Sequence, residues 1–144
     1  MTDELDLEAV AAVRGAVLRL GRRLRYQTLG DADLSATELA VLGRIGLCGP
    51  MAPSALARAE HVKPPSMTKV IERLENKGLV RRDPHPTDGR QCLISRTEAG
   101  ESFIKATRER RTAWLAERFD LLSDEDRRAV LAAAPALQRL ADLP

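Results

Sequence analysis

The 144-residue chain is poor in aromatic residues: one Trp, one Tyr and two Phe make up 3% of it. Its core has to be assembled from Leu, Val, Ile and Ala, a supply that suits helices, so a mostly helical fold is expected. It also lacks any run near the ~20 uninterrupted apolar residues of a membrane span. Asp3, Glu4 and Asp6 stand where a secretory leader would carry positive charge, and the expectation is a cytoplasmic protein with no membrane partner. The only cysteines, Cys48 and Cys92, have 43 residues between them and no Cys or His at ligand spacing, which argues against a disulfide framework or a close-spaced metal motif. Neither is expected to have the cationic partner or helix N-terminus that makes a thiol reactive, so oxidation is not expected to be a switch. The two histidines, His61 and His85, fall in no metal or triad pattern, and no phosphate-cradling glycine loop or nucleophile elbow occurs. The chain reads as a non-enzyme without cofactor or metal, with His85 between Pro84 and Pro86 as a rigid turn residue.

What the chain does have is charge, unevenly placed. Lys and Arg number 23 against 21 Asp and Glu, yet residues 63–96 hold eight basic and four acidic residues, so the rest is net negative. A basic segment in a near-neutral protein suits either a nucleic-acid footprint or a solvated charged face. Val10, Val13, Val17, Leu20 and Leu24 alternate spacings of three and four, predicting a helix from Asp6 to about Leu29 with one apolar seam. Gly30, Asp31 and Asp33 interrupt it. Ser35 and Glu38 form a capping box for a second helix from Ala36 to about Leu47, ended by Gly49 and Pro50. Pro53 suits the first turn of a short third helix reaching Glu60, with Leu56 inward.

Pro64 and Pro65 cannot donate backbone hydrogen bonds and fit only a first turn, so a fourth helix starts there. Met67, Val70, Ile71 and Leu74 give its apolar face, and Gly78 with Leu79 its left-handed cap. Leu79–Asp83 and Gln91–Arg96 read as strands of a hairpin around the turn from Pro84 to Arg90. Thr97 opens a long helix to about Leu122, and Ser123 caps a last one, Asp124 to about Leu143, in which Pro135 should make a kink. Residues 35–96 thus run helix, helix, helix, hairpin: a winged helix-turn-helix, with 97–122 as a linking helix. The major groove admits one helix, and a hairpin beside it reaches the minor groove, where negative potential attracts arginine. Fold alone leaves a protein-interaction module as the alternative to DNA binding.

The hairpin region carries Asp88-Gly89-Arg90, Leu93 and Thr97-Glu98-Ala99-Gly100, preceded by Met67-Thr68, Ile71-Glu72-Arg73-Leu74 and Lys77-Gly78-Leu79-Val80. These segments, the helix order and the length resemble the MarR family of bacterial transcriptional regulators over nearly the whole chain. Two positions depart from that pattern: Arg96 where an aliphatic residue is usual, and Ala52 where a Ser or Thr cap is usual. The resemblance implies a homodimer, usually a repressor, reading a pseudo-palindrome in double-stranded DNA. Residues 1–34 and 123–144 would form the dimerisation region, through Val10, Val13, Val17, Leu20, Val130, Leu131, Leu137 and Leu140.

By the same resemblance the helix from Pro64 is the recognition helix. Its solvent face offers Ser66, Thr68 and Lys69 near the N-terminus and Arg73 one turn on, while the Pro65 ring suits a thymine methyl. Arg90 at the hairpin tip is the expected minor-groove residue, with Asp88 holding its guanidinium. Lys63, Arg81 and Arg82 are expected on phosphates. A small aromatic effector is implied in the cleft between the first, second and fifth helices, with Arg22, Tyr26 and Trp114 as candidate contacts.

Overall fold

The computed structural model describes residues 6–29 and 34–144; Asp3, Glu4 and the break at Gly30, Asp31 and Asp33 lie outside the described residues. Six helices and one hairpin follow in order: α1 (Leu7–Leu29), α2 (Ala36–Cys48), α3 (Pro53–Ala59), α4 (Pro64–Asn76), β1 (Val80–Pro84), β2 (Cys92–Arg96), α5 (Glu98–Phe119) and α6 (Asp124–Asp142). The chain is mostly helical with a two-stranded antiparallel wing, as its composition and periodicities predict.

The helix ends show why the chain turns where it does. Ser35 Oγ accepts the Glu38 N–H at 3.2 Å and a Glu38 carboxylate oxygen accepts the Ser35 N–H at 3.0 Å, completing the capping box. Ala52 offers α3 no side-chain cap, and Pro53 at the first position reduces the need for one. The turn between α3 and α4 is a reciprocal C-cap: His61 N–H donates to the Arg58 carbonyl and Val62 N–H to the Ala57 carbonyl. His61 holds the left-handed position at φ 52°, a place usually given to glycine. The matching cap of α4 uses Gly78 at φ 70°, with Leu79 N–H on the Leu74 carbonyl at 2.9 Å.

Both strands start one residue later than the sequence suggests, in the register Val80↔Arg96 to Pro84↔Cys92. Before β1, Leu79 is committed elsewhere, its N–H to the α4 cap and its carbonyl to Thr97 N–H; before β2, Gln91 N–H closes the turn on the Asp88 carbonyl. Met51 adds a third extended segment by exchanging two backbone hydrogen bonds with Ile94. Thr97 caps α5 by accepting the Gly100 N–H and donates its hydroxyl to the Gly78 carbonyl. α5 stops at Phe119 rather than Leu122, because Leu121 and Leu122 fold into tight bonds to the carbonyls three residues back before Ser123 caps α6. α6 runs through Pro135 as one element.

The core lies between α2, α3, α4, the hairpin and the first half of α5: Leu42, Leu56, Met67, Ile71, Leu74 and Ile94 are all but sealed from solvent. α1 packs on α5. α6 contributes no buried residue.

Candidate nucleic-acid interface

α4 buries Met67, Val70, Ile71 and Leu74 and turns its other side to solvent. That side carries Pro65, Ser66, Thr68, Lys69 and Arg73, all exposed, with Lys63 at the N-cap. Two prolines in the first turn leave fewer unpaired N–H groups there, so anions would meet Lys63 and Lys69 more than backbone donors. The Thr68 hydroxyl donates to the Pro64 carbonyl at 3.1 Å; its oxygen still has room to accept. Among the described residues no carboxylate pairs with Lys63, Lys69, Arg73 or Arg90.

Arg81 and Arg82 have structural duties. The Arg82 guanidinium pairs with Glu75 of α4 at 2.9 Å, fastening the wing to that helix. Its burial is slight, and the hydrogen bond it donates to Glu75 is what raises its pKa above the ordinary value. Arg81 pairs with Asp83 at 3.1 Å and reaches the Arg96 carbonyl. Ser95 Oγ donates to the other Asp83 oxygen at 2.7 Å. That hydrogen bond first, and Arg81 second, keep the Asp83 carboxyl below the usual carboxylate range.

At the tip the expected clamp takes a different form. The Asp88 carboxylate accepts the backbone N–H of Arg90 at 3.0 Å, so it fixes the turn and leaves the guanidinium exposed. Short side chains like Asp cap nearby backbone donors in turns more easily than they span to a long neighbour's end. The His85 ring, read from sequence only as a rigid turn residue, organises the same tip through its Nδ1.

Arg96 has a physical account. Its side chain is largely buried and lies against α2 where Gly46 has no Cβ: a methyl there would sit 2.6 Å from three guanidinium atoms. Nη2 pairs with Glu101 at 2.6 Å, while Nη1 is buried without a partner. Sequence reasoning found Glu38 as a capping residue but missed its second partner: the 2% exposed carboxylate also pairs with Lys77 at the end of α4 at 3.1 Å.

A cavity of about 580 Å³ opens between α1, α2 and α5, lined by Arg22, Arg25, Tyr26, Ala36, Leu39, Ala40 and Arg111. Arg22 and Tyr26 are where the sequence suggests. Trp114 is not on this wall. It is buried, with the Arg118 guanidinium 4.1 Å from its ring centre and that of Arg23 at 5.3 Å. Burial and the neighbouring charge of Arg25 both lower the pKa of Arg111. Three guanidinium groups around an apolar floor suit an anion with a flat apolar body.

The cysteines do have cationic neighbours, contrary to expectation. Arg82 Nη1 lies 3.8 Å from Cys92 Sγ, and Arg44, paired chiefly with Glu60, also meets Cys48 one turn on. Cross-strand and i, i+4 proximity bring these pairs together.

A family model described as MarR family matches residues 34–92. An uncharacterized HTH-type transcriptional regulator of Mycobacterium bovis is 43% identical over 127 residues, 88% of each chain. The multiple antibiotic resistance protein MarR of Salmonella typhimurium is 31% identical over 88 residues, 61% of each chain. The solved structure of a transcriptional regulator protein from Pseudomonas aeruginosa superposes with a TM-score of 0.85 at 31% identity, covering 98% of this chain and 99% of that one.

Proposed function

The chain belongs to the MarR family of transcriptional regulators, and from that premise we propose that it is a homodimeric repressor of a pseudo-palindromic operator, released by a small aromatic anion. The observation that carries the DNA reading is the outer face of α4: Ser66, Thr68, Lys69 and Arg73 are exposed together on the helix opposite its buried side. Base-edge readout needs such a face, and phosphate contacts from Lys63, Lys69 and the wing would set its register. Arg81 and Arg82 act first as braces of the wing, and their remaining donors face the backbone. Arg90 enters the minor groove.

The dimer reading rests on α1 and α6. Val13 and Val17 are about half exposed, as are Val10 and Leu20, and α6 presents Val130, Leu131, Leu137 and Leu140 with none of its residues buried. Apolar helix faces of this kind call for a partner, and a two-fold pair would set recognition helices about 34 Å apart. The effector reading rests on the cavity, whose Arg22 and Arg25 would hold the charge and whose Leu39 and Tyr26 the ring.

Footprinting of the full chain on the DNA flanking its own coding sequence tests the whole reading. A protected pseudo-palindrome, surviving excess random competitor and lost on adding benzoate-type anions, is the expected result. Equal binding to every fragment, or none, would favour a protein-interaction module instead.

A further inference from the structure

The wing tip contains an acceptor that a single proton would remove. His85 Nδ1 lies 3.1 Å from the backbone nitrogen of Asp88 and 3.3 Å from that of Thr87, with Thr87 Oγ1 at 3.4 Å. A backbone N–H only donates, so Nδ1 must offer its lone pair and the ring proton sits on Nε2. The connection continues: the Asp88 carboxylate holds the Arg90 N–H at 3.0 Å, Gln91 N–H donates to the Asp88 carbonyl, and His85 N–H donates to the Gln91 carbonyl. One imidazole nitrogen therefore takes two of the backbone donors in the turn that presents Arg90.

We propose that His85 is the positioning residue of the wing, holding Arg90 in place when neutral and releasing the tip when a second proton turns Nδ1 into a donor facing two donors. This rests on the DNA reading above. The ionisable groups that flank His85 in the hairpin are Asp88 and Arg90 in the tip, Asp83 on β1 and Cys92 on β2. Asp88 is engaged by the Arg90 N–H, Asp83 by Ser95 and Arg81, and Cys92 by Arg82. None of these supplies Nδ1 with an acceptor that would keep the turn closed after protonation.

The sign of the effect separates this device from ordinary electrostatics. A proton gained near the phosphates strengthens attraction to any DNA. Loss of the ordered tip weakens discrimination between sequences, because an unrestrained Arg90 loses more freedom on entering the groove. Acid should therefore leave random-sequence affinity level or higher while the ratio of selected to random affinity falls.

The experiment uses the full chain, the duplex it selects from a randomised pool at about pH 8, and a random duplex, titrated by fluorescence anisotropy down to about pH 5.5, a range that spans ordinary histidine protonation. For the parent we expect the affinity ratio to fall roughly threefold to tenfold. His85→Asn keeps an acceptor oxygen near the position of Nδ1 and takes no proton, so its ratio should remain high throughout. His85→Ala should be low at every pH, with circular dichroism confirming the fold. Amide NMR of the free protein gives a readout independent of DNA: Thr87 and Asp88 should titrate together with the His85 ring. Amides indifferent to the ring, or parallel pH profiles for parent and His85→Asn, would overturn the proposal while the DNA reading stands. A parent that selects no duplex at any pH would overturn the DNA reading and this proposal's consequence with it, even if the amides follow the ring.

Discussion

The guanidinium of Arg96 and the missing side chain of Gly46 occupy one another's space. In an exposed helix Gly→Ala gains about 1 kcal/mol; here the new methyl would push the guanidinium off α2 and away from Glu101. Gly46→Ala should thus change stability little in the parent, yet stabilise an Arg96→Leu background by about 1 kcal/mol, a coupling that urea melts of the four proteins would measure. The wing tip gives a second prediction. Arg90→Ala should weaken operator binding by on the order of 1–3 kcal/mol and reduce the salt slope by about one contact per wing. Since Asp88 acts through the Arg90 N–H, Asp88→Asn, which keeps an acceptor, should bind much like the parent, while Asp88→Ala should bind less well. Salt-dependent titrations of the three variants would show it; a large loss in Asp88→Asn would restore a charge-based clamp. That Asp88 acts on Arg90 was legible in the sequence. The backbone target of Asp88 was not, because spacing says which residues are near and not which atoms meet.

Helix α5 abuts the end of α4 so closely that a Cβ on Gly100 would fall 2.1 Å from the Leu79 carbonyl oxygen. Backbone cannot swing aside as a side chain can, so Gly100→Ala should destabilise the fold by about 3 kcal/mol, read from denaturant midpoints at unchanged slope. The wing has its own acid limb. Asp83 is held below the usual carboxylate range by Ser95 and then Arg81, so its contribution is complete above that range and disappears as pH falls through its depressed value. Thermal melts should show the parent losing this increment below about pH 4, and Asp83→Asn, which has no such charge to lose, should show a flatter acid limb. Long elements were readable because their apolar period and capping residues agree, as at Ser35, Pro64, Gly78 and Thr97. The Met51–Ile94 pairing was not, since one bridge leaves no period. Nor was the left-handed cap at His61, where glycine would have signalled it.

For the molecule as a whole, the proposed assembly rests on α1 and α6. Neither has enough of the chain's own core to cover its apolar side, so a charge placed there should matter more for association than for folding. Val17→Glu with Leu137→Glu should give a folded monomer by light scattering at micromolar concentration, with half-site but no full-site DNA affinity; a dimer that persists would move the interface elsewhere. The charged cavity was only half readable from sequence. Arg22 and Tyr26 were found, but Arg25 and Arg111 depend on how α1 and α5 are rotated against each other, and Trp114 stacks on Arg118 and Arg23 instead of lining the cavity. Trp114 is the chain's sole tryptophan, clasped by an arginine from α1 and another from its own helix. The protein therefore contains a built-in optical gauge: any tilt of α1 on α5 alters the cations stacked on one indole and the water beside it, and its emission should report that tilt in unlabelled protein.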